Sequence, residues 1–321
     1  NIVVDLGKLY YKPSSLDLET KNALLELINC IQNEKISYDA SFALAELSAD
    51  RNNGGVINEK YRHLEKGLKK VMDMNFNKLR KHAFYSTRAV KNSNIFIDFT
   101  DNPNMSKILN NTLKALNYSY VLLAKFFLLL DVHGEKNKEQ IYIDLLEFAH
   151  AEIQSIPLYE LAVIIFYIFS SDEEFKHAQN LMKVNKKLDI VKKIWNVSWD
   201  MTYLRYLNDV PGRFLSGEQL KCECKNNVLI TKDVALANIS DLLTCDSDSV
   251  LYDKFVPNAI IDASKIKEKF RNTYEEQHKK YHSDEMRIPR VEKLKSRNPL
   301  DHIKELNLLV DNLTKELLAI E

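Results

Sequence analysis

Short apolar runs bounded by turn residues recur along the chain. The first is Ile2-Val3-Val4, which leads into Asp5 and is soon followed by Gly7. A short, continuously apolar run rich in β-branched residues is typical of a strand that is buried on both faces. The same reasoning places candidate strands near residues 2–5, 35–39, 152–156, 228–231 and 258–262.

Helical periodicity separates these candidate strands. Apolar residues recur at helical spacing over 16–33, where Ser15 or Asp17 can serve as the N-cap. Alternating strands and helices indicate an α/β fold, a three-layer parallel sheet of about five strands flanked by helices. Further helices are predicted at 41–48, 105–131, 136–150, 158–170, 172–188, 196–207 and 233–243.

A long helical insertion interrupts this alternation. Asn52-Asn53-Gly54-Gly55 is the strongest loop signal in the chain, and the alternation of strand and helix returns only at Ile153. We therefore expect one large domain with an inserted segment, followed by a helical tail. The predicted bounds are 1–262 for the domain, with its core at 1–50 and 152–262 and its insertion at 51–151, and 263–321 for the tail.

The tail ends in a regular apolar stripe. After Pro299, apolar residues alternate three and four positions apart, at Ile303, Leu306, Val310, Leu313, Leu317 and Ile320. A helix of this length is marginal in water by itself, so the stripe needs a surface to bury against. Two surfaces are open: the core of the same chain, or another chain in a homodimer or a regulatory complex.

Composition narrows the class of protein without deciding it. The chain of 321 residues carries 45 basic and 45 acidic residues, so net charge argues neither for nor against a nucleic-acid partner. The most apolar run, 118–130, contains Lys125 and is too short to span a bilayer. No signal peptide is visible, and the four cysteines are too scattered for a disulfide framework, so a reducing, cytoplasmic setting is expected. The spacing of Cys222, Cys224 and Cys245 does not fit a zinc site.

Four acids stand at the ends of predicted elements: Asp5, Glu46, Asp200 and Asp233. In a parallel sheet these positions can converge at the carboxyl edge, where such folds bind their ligands. Crowded carboxylates need cations, and oxygen ligands select hard ions such as Mg²⁺ or Mn²⁺, which activate water for phosphodiester cleavage. Each acid taken alone is more often a helix cap or a solvated side chain.

The segments around these acids resemble the motifs of PIN-domain nucleases. They are Val-Val-Asp-Leu-Gly at Asp5, Ser-Phe-Ala-Leu-Ala-Glu-Leu at Glu46, Trp-Asp-Met-Thr-Tyr-Leu at Asp200 and Leu-Ile-Thr-Lys-Asp at Asp233. Residues 153–162 resemble the middle strand and following helix of that family. The resemblance covers about 1–50 and 152–262. It implies a PIN-like fold and a metal-dependent nuclease in which these four acids are both catalytic residues and metal ligands.

The resemblance also has departures and secondary features. Many family members carry Ser or Asn two residues after the first acid, where this chain has Gly7. A contact to metal or phosphate is then missing, which leaves open a catalytically silent interaction protein. Asn196 and Thr231 are the residues expected to assist the four acids.

A basic segment is the best candidate for holding a polyanion. Residues 59–91 carry ten bases against three acids. Such side chains neutralise phosphates without reading sequence. The interleaved Phe76, Phe84 and Tyr85 either stack on unpaired bases or belong to the core. The predicted backbone contacts are Lys66, Lys69, Lys70, Lys78, Arg80 and Lys81, and residues 265–297 form a second basic stretch with eleven bases and six acids.

These observations predict a Mg²⁺- or Mn²⁺-dependent endonuclease that hydrolyses phosphodiester bonds, with RNA favoured over DNA as substrate. The alternatives are a DNA nuclease that uses the same site and a PIN-like interaction protein without activity. A toxin or an anti-phage effector is the context that this architecture suggests by analogy. No membrane partner is expected.

Overall fold

The computed structural model describes residues 2–36, 38, 40–50, 55–56, 58–86, 103–170, 172–184, 189–208, 230–231, 233–246, 250–251, 254–255 and 258–320. Within them the protein is an all-α fold, with only short antiparallel β-pairs. The chain divides into two compact units, Asn1–Asn110 and Asn111–Glu321.

The first unit is a set of short helices around a leucine-rich core. Leu9, Ile28, Val71 and Leu79 are fully buried at its centre. Contacts join α1 to α4, α2 to α5 and α3 to α4. Its elements are α1 (Ile2–Tyr11), a 3₁₀ turn (Pro13–Ser15), α2 (Leu18–Asn33), α3 (Ser41–Ser48), the paired strands β1 (Ala49–Asp50) and β2 (Gly55–Val56), α4 (Asn58–Met72) and α5 (Phe76–Tyr85).

The predicted first strand is wrong, because residues 2–5 begin helix α1. A short apolar run does not distinguish a buried strand from a buried helix. Val3, Leu6 and Leu9 recur every three residues, so a helix brings them to one side, where all three are buried. The predicted helices at 16–33 and 41–48 are confirmed, and Asp17 is the N-cap that accepts from the backbone N–H of Thr20 at 2.6 Å.

Gly67 allows α4 to approach α1 closely. A methyl group at Gly67 would lie 2.7 Å from Cε2 of Tyr11 and 3.3 Å from Cα of Gly7. The ring of Tyr11 cannot easily move away, because it stacks on the ring of His63 at 4.3 Å and its hydroxyl donates to the carbonyl oxygen of His63 at 3.1 Å. The close approach of the two helices therefore depends on glycine at position 67.

Gly67→Ala should destabilise the first unit by about 1–3 kcal/mol, because the clash outweighs the better helix propensity of alanine. Gly7→Ala is the matched control: its methyl group would meet nothing within 4 Å, so it should be neutral or stabilise by up to about 1 kcal/mol. Urea unfolding of both variants measures the difference. Equal stabilisation by the two substitutions would contradict the close approach.

The second unit contains α6 from residue 111 onward and all the elements that follow it. The helices are α6 (Pro103–His133), α7 (Lys138–Phe148), α8 (Leu158–Phe169), α9 (Asp172–Met182), α10 (Ile190–Asn208), α11 (Val234–Leu242), α12 (Glu268–His282), α13 (Asp284–Ser296) and α14 (Pro299–Ile320). A π-helical turn (Ala149–Ile153) follows α7, and a 3₁₀ turn (Ala263–Lys265) precedes α12. The strands are β3 (Thr244–Asp246), β4 (Val250–Leu251), β5 (Lys254–Phe255) and β6 (Asn258–Ile260).

Helix α8 is the centre of the second unit. Every residue from Tyr159 to Phe169 is buried, as expected of a helix that is apolar on all sides. The apolar run 118–130 forms part of α6 and lies in the same core, which confirms its prediction as a buried helix. No described helix combines the length and the apolar character that a membrane crossing requires.

The predicted α/β fold with a PIN-like parallel sheet is wrong. Among the described residues, strands pair only two at a time and antiparallel, β1 with β2, β3 with β6 and β4 with β5. The candidate strand at 152–156 is the end of the π-helical turn, after which Gln154 takes a left-handed conformation at φ 57°. Pro157 was a correct signal of a break, but the break separates two helices.

The other candidate strands have mixed outcomes. Residues 258–260 do form a strand, β6, although it pairs antiparallel. Lys35 lies in a turn after α2, and residues 37 and 39 lie outside the described part of the chain. Residues 228 and 229 also lie outside it, and residues 230–231 are not a strand. The predicted domain bounds stay a prediction, although the described residues do not form the parallel core on which those bounds depended.

The C-terminal stripe packs on the core of its own unit. Leu306, Leu313 and Leu317 are buried and belong to the core around α8, and α14 contacts α10. Hydrogen bonds reinforce this packing, from Asn117 to Asn307 at 2.7 Å and between Tyr120 and Thr314 at 2.7 Å. Of the two surfaces that the sequence left open, the core of the same chain is the one that this part of the stripe contacts.

Candidate nucleic-acid interface

The four predicted metal ligands are divided between the two units, and one of them stands directly before a helix. Asp5 lies in α1 and Glu46 in α3 of the first unit, whereas Asp200 lies in α10 and Asp233 precedes α11 in the second. The described residues contain no group of three or more His, Cys, Asp or Glu side chains that could hold a metal ion. The metal site, its Mg²⁺ or Mn²⁺ and the assisting role of Asn196, which lies in α10, stay predictions.

Asp233 caps a helix in this fold. Its Oδ1 accepts hydrogen bonds from the backbone N–H groups of Ala235 at 2.9 Å and Leu236 at 3.1 Å, so it is the N-cap of α11. The hydroxyl of Thr231 accepts from the backbone N–H of Asp233 at 3.0 Å. The threonine two residues before the acid is thus explained by helix capping. Asp5, similarly, pairs with Lys8 one helical turn later at 3.3 Å.

The basic segment forms helices α4 and α5 in the first unit. Of the six predicted contact bases, Lys66 is half-buried, and the other five are exposed: Lys69, Lys70, Lys78, Arg80 and Lys81. Residues 87–91 of the segment lie outside the described part of the chain. Glu65 lies beside these bases on α4, where burial raises the pKa of its carboxyl and nearby Lys69 lowers it to a lesser extent.

Helix α5 is held in place by its apolar face. Leu79 and Ala83 are buried, Phe76 packs against the same core, and Asn75 caps the helix by accepting from the backbone N–H of Asn77 at 3.1 Å. A hydrogen bond between Nε2 of His82 and the carbonyl oxygen of Tyr10, at 2.8 Å, ties the helix to the end of α1. These contacts leave the opposite face of α5 turned to solvent.

That exposed face combines cations with aromatic rings and contains no acid. Lys78, Lys81 and Tyr85 follow one another at helical spacing along it, Arg80 and Phe84 form a neighbouring exposed row, and the sequence of α5 has neither Asp nor Glu. Tyr85 is 81 % exposed and Phe84 is 36 % exposed. The three aromatic residues therefore fall into two groups. Phe76 packs against the core, whereas Phe84 and Tyr85 face solvent beside the cations.

Lys21 is a further cation at this surface that the sequence did not indicate. Its Nζ lies 5.9 Å from the centroid of the Phe84 ring, within the range of a cation–π contact. Lys21 belongs to α2, far from α5 along the chain. Only the packing of α2 on α5 brings it to the interface, so no local sequence signal could have revealed it.

No known protein family matches the chain, and neither a curated protein nor a solved structure matches it. The geometry of the described residues is therefore the basis for any proposal about function.

Proposed function

We propose that the protein binds single-stranded nucleic acid, with RNA as the first candidate, through the exposed face of α5 and the C-terminal end of α4. The observation that carries the proposal is the acid-free face of α5, where three cations accompany an almost fully exposed tyrosine. Cations of this kind contact phosphates, and exposed aromatic rings stack on unpaired bases. Solvent exposure of a large aromatic side chain has no benefit for folding, since burial would stabilise it.

The interface has the features of a surface that tracks a backbone without reading sequence. Lysine and arginine side chains neutralise phosphates of any sequence, and every base offers a face for stacking. Single strands expose those faces, whereas a duplex hides them. We therefore expect preference for single strands over duplexes and little preference among sequences.

Reversing Lys69, Lys70, Arg80 and Lys81 to Glu should weaken binding of all single strands and flatten its salt dependence. Each lost phosphate contact removes about 0.7 from the slope of log K against log salt for a single strand, so four contacts remove about 3. Fluorescence anisotropy of labelled oligouridylate and oligothymidylate, between about 50 and 200 mM salt, measures the slope.

The matched control reverses four exposed lysines of the second unit, Lys136, Lys176, Lys192 and Lys315, and changes net charge by the same amount. An equal loss of slope in both variants would mean that the binding depends on net charge alone.

In the same assay Tyr85→Ala should reduce affinity for single strands about tenfold with the slope unchanged, because it removes stacking and no charge. An unchanged affinity would remove the tyrosine from the interface.

Cleavage stays a separate proposal, in which Asp5, Glu46, Asp200 and Asp233 would bind Mg²⁺ or Mn²⁺ and hydrolyse the bound strand. Incubation of labelled RNA and DNA with Mn²⁺ or with EDTA tests it, using Asp5→Asn and Asp233→Asn as variants. Binding through α5 is expected whether or not cleavage occurs. A homodimer or a regulatory partner that uses α14 also stays a proposal, tested by the truncation described in the Discussion.

A further inference from the structure

A second cationic site lies in the second unit, where the π-helical turn after α7 meets α13. It consists of His150 and Gln154 from the turn and of Arg290 and Lys293 from α13, and we refer to it as the π-turn site. Arg290 and Lys293 are three residues apart and share one face of the helix. Local π-helical geometry inside or beside an α-helix is frequent at functional sites.

Arg290 is a buried cation that has no acidic partner among the described residues. It is only 8 % exposed, and its Nη1 lies 3.3 Å from Nδ1 of His150 and donates to the carbonyl oxygen of Tyr281 at 3.2 Å. No carboxylate among the described residues forms an ion pair with this guanidinium. Burial and the neighbouring Arg287 both lower the pKa of Arg290. Buried charges in proteins are normally paired, because an uncompensated one costs several kcal/mol.

The side chain of Gln154 contacts two further cations, Lys293 and Arg297. Its backbone is left-handed, a conformation that non-glycine residues seldom adopt, and its side chain is buried. With the amide oriented so that its oxygen faces the cations, that oxygen accepts from Nζ of Lys293 at 2.8 Å and from Nη2 of Arg297 at 2.8 Å. Arg297 has a counter-charge in Glu305 at 2.6 Å, whereas the partner of Lys293 in this contact is a neutral amide.

The charges around His150 show that the cluster is one electrostatic site. Burial lowers the pKa of His150, and Arg290, Lys280 and Lys293 lower it further. The neutral ring accepts from Arg290 through Nδ1, so its proton is on Nε2, which is a donor. The three cations disfavour another positive charge and favour a negative one, whereas burial disfavours an uncompensated charge of either sign.

We propose that the π-turn site binds a phosphate group, either as inorganic phosphate or as the phosphomonoester of a small metabolite. The planar fork of Arg290 matches two phosphate oxygens, and Lys293 supplies a point charge beside it. A dianion would neutralise the charge that burial leaves uncompensated on Arg290. The site belongs to the second unit alone and does not depend on the nucleic-acid interface of the first.

Titration calorimetry and thermal melting of the full chain, without nucleic acid, test this proposal with inorganic phosphate and with adenosine monophosphate. Phosphate should bind and raise the melting temperature by several degrees at saturation. Tighter binding of the nucleotide would identify a phosphomonoester as the ligand, and equal binding would identify phosphate itself. Sodium chloride at the same ionic strength should have no such effect, and an equal rise with it would overturn the proposal.

Three variants locate the binding. Lys293→Gln should weaken phosphate binding about tenfold or more, through loss of one charge-assisted hydrogen bond. Lys295→Gln removes an exposed lysine from another face of α13 and should leave binding unchanged. Arg290→Met should abolish the response to phosphate and raise the melting temperature in its absence, since it removes a buried unpaired charge. No binding to the wild-type chain, or equal losses in Lys293→Gln and Lys295→Gln, would overturn the assignment.

Discussion

Deleting residues 300–321 should abolish the cooperative unfolding transition of the second unit without changing the oligomeric state of the chain. The deletion removes Leu306, Leu313 and Leu317 from the core around α8. Full burial of one leucine side chain stabilises a fold by about 1.5–3 kcal/mol, and a whole domain is stable by only about 5–15 kcal/mol. Loss of three such side chains therefore removes most of the free energy of unfolding of the unit.

The deletion also breaks a polar seam between α14 and α6. The hydroxyl of Tyr118 is hydrogen-bonded to Nε2 of buried His302, and burial raises the pKa of Tyr118 to about 12, so the hydroxyl keeps its proton at neutral pH. Asn117 and Tyr120 lose their partners Asn307 and Thr314 as well. The loss of these hydrogen bonds adds to the cost of the deletion.

Two single substitutions test the same packing without removing the helix. Leu317→Ala should cost about 2–5 kcal/mol, because the side chain is fully buried. Leu318→Ala, next to it and 58 % exposed, should change stability by less than about 0.5 kcal/mol. Thermal melts and light-scattering mass separate the outcomes. A dimer that becomes a monomer on truncation, with an unchanged melt, would mean that α14 pairs with another chain.

Replacing Arg205 by Met should cost the second unit about 3–5 kcal/mol of unfolding free energy, because it leaves a buried carboxylate without its cation. Glu160 lies in α8 and is 0 % exposed. Its two oxygens bind the hydroxyl of Ser119 and Nη2 of Arg205, and Nη1 of Arg205 donates to the same hydroxyl at 3.1 Å. This network joins α6, α8 and α10 at the centre of the unit.

A double-mutant cycle measures the pair itself. Glu160→Gln keeps an acceptor for Ser119 and removes the charge, so it should cost less than Arg205→Met. The double variant should be more stable than Arg205→Met alone, because it no longer buries an unpaired charge. Urea unfolding gives all three values. Additive losses would show that Glu160 and Arg205 do not interact in solution.

Much of the helical structure could be predicted from local signals. Helices α2, α3, α6, α7, α8 and α11 lie within a few residues of their predicted positions. The Asp17 cap and the break at Pro157 were also readable, since capping and the loss of a backbone donor act over a few residues. The exposed bases of α4 and α5 could also be predicted, because that prediction depended only on composition and on helical spacing.

The predicted parallel sheet was wrong for a physical reason. Ile2-Val3-Val4 and Ile153 to Ile156 are short apolar runs whose local propensities suit a strand, and tertiary packing overrides such propensities. Val3, Leu6 and Leu9 bury one face of a helix, with Gly67 of α4 leaving room for the neighbouring backbone. A strand would have placed successive side chains on opposite faces.

The sequence by itself determined to within a few residues where helices α2, α3, α6, α7, α8 and α11 start and stop, and it determined where positive charge accumulates. Those properties depend on neighbours within one or two turns. Only the tertiary structure decided which side chains share a surface. It placed Tyr85 in solvent beside the cations of α5, and it placed Arg290 next to His150, 140 residues away along the chain. Burial and long-range contact depend on the packing of whole helices, and no local pattern of residues encodes that packing.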